Sequence, residues 1–145
     1  RKIDMLLVED NEGDILLTKE ALESRGMARS LHICRNGLEA INFLEECLGS
    51  SNLELPEIVI LDINLPRKNG QEVLQFIKQH PRLCHIPVVM LTTSSSASDI
   101  SDSYLHQANC FITKPTELEG FVDVVKLLEE FWFRVVKLPS HENVS

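Results

Sequence analysis

The sequence has no cysteine pair that would indicate a disulfide framework or a zinc site. Its cysteines form no CxxC motif, and each lies in or beside an apolar segment (Cys34, Cys47, Cys84 and Cys110). The histidines likewise show no metal-ligand spacing. We therefore expect the cysteines to be small core side chains in a protein of a reducing compartment, and the histidines to be surface or hydrogen-bonded residues.

Basic runs and membrane-length apolar runs are also missing. The chain carries 14 lysines and arginines against 22 aspartates and glutamates, a formal net charge of -8. This charge argues against a surface built for nucleic acid or anionic lipid. No segment approaches the ~20 apolar residues of a membrane span, and residues 1–4 do not resemble a secretory signal. These absences predict a cytoplasmic protein without nucleic-acid or membrane partners.

What the sequence does contain is an alternation of short apolar runs and amphipathic stretches. Apolar runs at residues 3–8, 30–34, 58–61, 87–91 and 110–113 predict five strands, and helical periodicity after each run predicts five helices. This alternation, with short loops, predicts an α/β fold: a doubly wound, five-stranded parallel sheet with helices on both faces. At 145 residues the chain is expected to form a single domain, residues 1–145, with an extended last helix and a polar tail.

Charged and hydroxyl side chains follow four of the five predicted strands. Glu9 and Asp10 come after the first strand and Asp62 after the third, whose four-residue apolar run suits a central strand. Thr92 follows the fourth strand and Lys114 the fifth. Because the carboxyl ends of parallel strands meet at one edge, where open α/β folds bind their ligands, we expect these side chains to lie together.

The gathered groups suit a metal-assisted phosphoryl site. Carboxylates at one edge repel one another unless a cation intervenes, and carboxylate and carbonyl oxygens are the ligands that Mg²⁺ prefers. Lys114 and Thr92 supply an ammonium and a hydroxyl for phosphoryl oxygens, and Asp62 is left as a nucleophile that can form an aspartyl phosphate. Because the sequence has no P-loop and no glycine-rich phosphate cradle, a bound nucleotide is not expected to be the direct donor.

Each of these residues, taken singly, has an ordinary structural explanation. Glu9 and Asp10 alone would fit an acidic pair at a helix start, and Asp62 alone a helix-capping aspartate. Lys114 alone would fit a solvated lysine, and Thr92 a polar strand end. The specific signal is the joint placement of each residue type at the end of the correct strand.

Four motifs together resemble the receiver domain of two-component response regulators. They are Val8-Glu9-Asp10-Asn11, Leu61-Asp62-Ile63-Asn64-Leu65-Pro66, Leu91-Thr92-Thr93 and Thr113-Lys114-Pro115. The resemblance covers roughly residues 3–136 and implies a (βα)5 flavodoxin/CheY-like fold. It also implies a stand-alone signalling switch, not a turnover enzyme, which assists its own phosphorylation and dephosphorylation and signals through protein contacts.

The resemblance implies a role for each matching residue. Asp62 would be the phosphoacceptor, charged by the phosphohistidine of a sensor histidine kinase. Mg²⁺ (or Mn²⁺) would be held by the set Asp10, Asp62, the Asn64 backbone carbonyl and, through water, Glu9. Lys114 and Thr92 would bind the phosphoryl oxygens, and Thr92 and Phe111 would form the conformational switch. The Lys114–Pro115 bond is a candidate cis peptide that would aim Lys114 inward.

A narrower resemblance concerns the two ends of the chain. Glu9-Asp10-Asn11 followed by Asp14-Ile15-Leu16-Leu17, with a tail containing Phe131-Trp132 and Val135-Val136-Lys137-Leu138-Pro139, is similar to the single-domain regulators that partner bacterial phytochromes. This implies a phytochrome-type light sensor as the partner kinase.

Two other function classes remain open at this point. A small Mg²⁺-dependent aspartyl-phosphate phosphatase would need a second carboxylate two residues after the nucleophile, where this chain has Asn64. A flavodoxin-like cofactor carrier would need a phosphate-binding loop after the first strand, where Glu9 and Asp10 would repel the ligand.

The last predicted helix is apolar over an unusually wide arc. At ~100° per residue its apolar positions from residue 118 to 136 spread over roughly 240°, whereas packing on one sheet needs little more than ~100°. The surplus predicts a homodimer through a surface formed by Val124, Leu128, Phe131, Trp132 and Val135. The alternative is that the C-terminal segment folds back and covers this surface.

Overall fold

The structure is a computed structural model that describes residues 2–63, 65–92 and 110–134, with the backbone alone for residues 92 and 131–134. It contains one five-stranded parallel sheet of strand order β2-β1-β3-β4-β5. The strands are β1 (Ile3–Val8), β2 (Ala28–Cys34), β3 (Ile58–Asp62), β4 (Val88–Thr92) and β5 (Cys110–Thr113). The described helices are α1 (Glu12–Arg25), α2 (Gly37–Gly49), α3 (Gly70–Gln79) and α4 (Leu118–Arg134).

The predicted α/β fold is confirmed, and the sheet is covered on both faces. Successive residues of a strand point to opposite faces, so Leu6 and Val8 of β1 join a core cluster with α2 and α3, and Met5 and Leu7 join a second cluster with α1 and α4. All five residues of β3 are buried, as expected for the central strand. The helix predicted after β4 falls on residues 97–108, outside the described residues.

Capping residues mark the starts of three helices and the end of α1. Asn11, Asn36 and Asn69 each accept a hydrogen bond from the backbone N–H three residues on, at the starts of α1, α2 and α3. Gly26 ends α1 in the left-handed conformation, with φ of 60°. The sequence predicts both ends of this helix, because asparagine is favoured at an N-cap and Gly26 stands where a C-terminal glycine belongs, and the structure confirms both.

One detail of α1 differs from the prediction. The apolar residues Ile15, Leu16 and Leu22 predict one shared buried face, but Leu16 is 56% exposed. Thr18 is buried there instead, because its hydroxyl donates to the Asp14 carbonyl at 2.7 Å and so satisfies its polar group within the helix.

Cys34 and Cys47 are buried free thiols, as predicted, whereas Cys84 is exposed. Cys84 lies in the turn between α3 and β4, where it follows the apolar residue Leu83 without sharing its burial. Among the described residues, no helix is long and apolar enough to cross a membrane.

Gly70 brings the start of α3 against the end of the central strand. A Cβ atom at this position would lie 2.3 Å from the Asp62 carbonyl oxygen and 2.6 Å from the Ile63 Cα. The Gly70 N–H also donates to the Ile63 carbonyl at 2.9 Å. The glycine is therefore required by a close backbone approach directly behind Asp62.

We expect Gly70→Ala to destabilise the fold by about 1–3 kcal/mol, because the added methyl overpacks backbone atoms that cannot rotate away. Gly49→Ala is the matched control, since nothing lies within 4 Å of its Cβ position at the end of α2. This control should be neutral or stabilising by about 0.4–1 kcal/mol. Urea denaturation measures both, and equal stability of the two variants would show that the close approach is absent.

The predicted dimer surface on α4 is wrong for two of its residues. Val124 and Leu128 are buried in the core cluster that α4 forms with the sheet and α1. An Arg25–Glu129 ion pair of 2.6 Å between the two helices marks the same contact. The apolar arc is wide because α4 packs on a helix as well as on the sheet. The side chains of Phe131, Trp132 and Val135 lie outside the description, so the homodimer stays a prediction.

Neighbouring leucines of α4 provide a test of this packing. Leu128→Ala should lower the free energy of unfolding by about 2–5 kcal/mol, because it empties a buried site. Leu127, one residue earlier, is 58% exposed, and Leu127→Ala should change stability by no more than about 0.5 kcal/mol. Similar losses in both variants, measured by chemical denaturation, would contradict the orientation of α4.

Candidate functional site

The carboxyl edge of the sheet brings three strand ends together. Glu9 directly follows β1, Asp62 is the last residue of β3, and Lys114 directly follows β5. The side chains of Glu9, Asp62 and Lys114 are 2%, 5% and 7% exposed, respectively. Asp10, next to Glu9, is exposed at the rim. The three charged side chains meet at one edge of the parallel sheet, as the sequence predicted, and the structure adds that all three are buried.

The ammonium of Lys114 is the hub of the site. Its Nζ lies 2.7 Å from Glu9 Oε1, 2.9 Å from Asp62 Oδ2 and 3.0 Å from Asp14 Oδ2. Asp14 is not among the residues that the strand-end pattern predicts for the site. The available signal was its position three residues after the Asn11 cap, in the helical turn that follows Glu9 and Asp10.

Burial and crowding shift the protonation of two of these groups. The pKa of Glu9 is raised to about 7 from an ordinary value of 4.5, mainly by burial and also by the neighbouring Asp62, against the lowering effect of Lys114 and of the Asn11 N–H. Burial alone would lower the pKa of Lys114, but its hydrogen bonds to Glu9, Asp62 and Asp14 outweigh burial and raise it. The edge therefore carries more negative charge than a single ammonium compensates.

The acidic residues can hold a divalent metal ion. Glu9, Asp10 and Asp62 each offer a carboxylate oxygen, and these oxygens lie within 4.8 Å of one another. Oxygen ligands of this kind suit a hard cation such as Mg²⁺. The neighbouring Asp62 adds to the effect of burial in raising the pKa of Glu9, and a cation would relieve that repulsion between the two carboxylates. The remaining predicted ligand, Asn64, lies outside the described residues.

The other predicted residues are placed only in part. Thr92 ends β4 in register with Thr113 of β5, and its side chain lies outside the description. Phe111, in the middle of β5, is half-buried against the core cluster of α2 and α3. The structure therefore places the backbone of both predicted switch positions on adjacent strands.

The predicted cis peptide between Lys114 and Pro115 is wrong. The described residues contain no cis peptide bond, and this bond is trans. A tertiary amide before proline still favours trans by about 0.5–1 kcal/mol. With the trans bond, the long lysine side chain already reaches all three carboxylates.

The residues of this site lie within a segment that matches a known protein family. The sequence matches the response regulator receiver domain family over residues 5–126. The chain belongs to this family. It is a response regulator receiver, which decides among the three function classes that the sequence had left open.

Two response regulators are similar to this chain in both sequence and structure. Response regulator Rcp1 of Synechocystis sp. is 42% identical over 136 residues, which are 94% of this chain and 92% of Rcp1. The crystal structure of the Mn(2+)-bound form of Rcp1 matches at a TM-score of 0.82, covering 94% of this chain and 99% of that chain. The phosphorylated cyanobacterial phytochrome response regulator RcpA matches at a TM-score of 0.86 and 41% identity, over 96% of this chain and 99% of that chain.

Proposed function

We propose that this receiver is a phosphorylation-controlled switch in which Asp62 accepts a phosphoryl group from the phosphohistidine of a sensor histidine kinase. The observation that carries the proposal is the position of the Asp62 carboxylate, at the end of the central strand and 2.9 Å from the Lys114 ammonium. A carboxylate held beside a fixed cation can attack a phosphoryl group whose developing charge that cation stabilises. The switch is not a turnover enzyme, but the same groups assist both phosphorylation and dephosphorylation of Asp62.

We assign Mg²⁺ (or Mn²⁺) as the cofactor, held by Asp10, Asp62 and the Asn64 carbonyl, with Glu9 acting through a water molecule. The clustering of the three carboxylate oxygens supports this assignment, as does the description of Rcp1 in an Mn(2+)-bound form. When bound, the metal neutralises the carboxylates and draws phosphate oxygens to the edge.

Lys114 and Thr92 bind the phosphoryl oxygens in this proposal. Lys114 contributes a buried ammonium, and the backbone of Thr92 ends β4 beside β3 at the same edge. In this proposal a change at Thr92 reaches Phe111 through neighbouring strands, since β4 and β5 pair directly. The signal would thus pass from Asp62 to the β4–β5 side of the sheet and on to a protein partner.

We further propose a phytochrome-type histidine kinase as the partner. The support is the similarity to RcpA, described as a cyanobacterial phytochrome response regulator. The test is phosphotransfer from a panel of purified, radiolabelled histidine kinases. A phytochrome-type kinase should transfer label to the wild type much faster than the other kinases do. Equal rates across the panel would contradict the partnership and leave the assignment of Asp62 intact.

A further inference from the structure

Asp14 contacts the site from α1, outside the set of strand-end residues. Its Oδ2 atom lies 3.0 Å from Lys114 Nζ. The first turn of α1 holds it firmly, because the Asp14 N–H donates to the Asn11 side chain at 2.9 Å and its carbonyl accepts from Thr18 at 2.7 Å. The carboxylate therefore projects toward Lys114 from a fixed piece of backbone.

The donors of the Lys114 ammonium are fully used. An ammonium group has three N–H bonds, and three carboxylates lie within 3.0 Å of Nζ: those of Glu9, Asp62 and Asp14. A phosphoryl oxygen can gain a hydrogen bond from this ammonium only by displacing one of the three. Phosphorylation modifies the Asp62 carboxylate itself, so the carboxylates that compete with the phosphoryl group for Lys114 are those of Glu9 and Asp14. Asp14 is the easier of the two to displace, because its side chain is 21% exposed, against 2% for Glu9, and water can solvate it.

We propose that Asp14 is a positioning residue that holds the Lys114 ammonium in the unphosphorylated protein and competes for it with a phosphoryl group on Asp62. This inference rests on the proposed function of Asp62 and Lys114. Loss of the Asp14 contact on phosphorylation would also release the link between β5 and the first turn of α1. Asp14 thereby sets how strongly the site favours the phosphorylated form.

The simpler explanation is that Asp14 only stabilises the helix start, as acidic residues in a first turn do. Glu12 separates the two explanations. It lies in the same turn of α1, and its carboxylate pairs with Arg35 at 2.6 Å while remaining 71% exposed. Glu12→Gln and Asp14→Asn therefore remove the same charge from the same helix end, but only the second removes a partner of Lys114.

The test uses beryllofluoride, a reversible mimic of the phosphoryl group on an aspartate, at saturating Mg²⁺ with fluorine NMR detection. Asp14→Asn should bind beryllofluoride about three- to fivefold more tightly than wild type, as expected for removal of a partly exposed competing charge. Asp14→Glu should restore the wild-type affinity, and Glu12→Gln should match wild type. Equal affinities of Asp14→Asn and Glu12→Gln would overturn the inference.

A different result would contradict the proposed role of Asp62 as the phosphoacceptor. If wild type and Asp62→Ala bind beryllofluoride equally, or neither binds it, the proposal for Asp62 fails first. The Asp14 contact can then be examined alone in thermal melts without metal. Asp14→Asn should raise the melting temperature more in a Lys114→Met background than in wild type, because only wild type also loses an attraction. The same shift in both backgrounds would show that Asp14 does not interact with Lys114.

Discussion

Asp62→Asn will abolish phosphorylation by a small phosphodonor such as acetyl phosphate in the presence of Mg²⁺. Wild type should gain one base-labile phosphoryl group, visible as a discrete mass increase, and the variant should gain none. The reason is chemical, because the amide that replaces the carboxylate is not a nucleophile toward phosphorus at neutral pH. The amide has nearly the same size as the carboxylate, so the burial at the end of β3 is kept.

The fold of this variant should be preserved. Lys114 retains Glu9 and Asp14 as partners, and one negative charge is removed from a crowded edge. Asp123→Asn makes the same chemical change on the exposed face of α4, and this control should be labelled like wild type. Labelling of Asp62→Asn at the wild-type level would place the phosphoacceptor elsewhere. Absence of label in the control as well would point to a failed donor reaction and not to Asp62.

The strands and the strand-end residues could be predicted because each is encoded by a short stretch of sequence. The β3 run of four apolar residues followed by Asp62 leaves few alternatives to a buried central strand with a polar end. Glu9 and Lys114 follow the same rule at β1 and β5. Once the sheet is parallel, its topology brings these ends to one edge without further information.

The features that the sequence did not predict depend on how helices pack against other elements of the fold. Whether Val124 and Leu128 are free depends on α1 packing beside α4, and the periodicity of α4 alone does not contain that contact. Likewise, Asp14 joins the site because of the rotation of α1 relative to β5. Both misses concern the packing of a helix against a distant element, which is set by tertiary contacts.

Lys114→Met should destabilise the metal-free protein by about 3 kcal/mol, the lower end of the cost of removing one partner from a buried ion pair. The methionine keeps the apolar stem but leaves the carboxylates of Glu9 and Asp62 buried without their cation. The lower end applies because Asp14 is partly solvated and because Glu9, with a pKa of about 7, readily takes up a proton.

The stability that Lys114→Met loses should depend on pH. The pKa of Glu9 is about 7 in the folded protein against an ordinary value of 4.5, so the folded state binds more protons than the unfolded state between these values. Metal-free stability therefore falls as pH rises through this window. In Lys114→Met the fall should extend to higher pH, because the lysine no longer lowers the pKa of Glu9. Urea denaturation in EDTA at several pH values measures this difference.

Mg²⁺ should recover much of the stability that Lys114→Met loses. A metal at a hundredfold excess over its Kd stabilises the folded state by about 2.7 kcal/mol. Mg²⁺ should raise the free energy of unfolding of Lys114→Met at least as much as that of wild type, because in the variant the metal takes the place of the lysine as the cation beside Glu9 and Asp62. Lys126→Met, at an exposed position of α4, should stay within about 0.5 kcal/mol of wild type in either condition. If Lys114→Met and Lys126→Met have the same free energy of unfolding in EDTA, then Lys114 does not compensate the buried carboxylates. If Mg²⁺ stabilises neither variant nor wild type, then these carboxylates do not bind the metal.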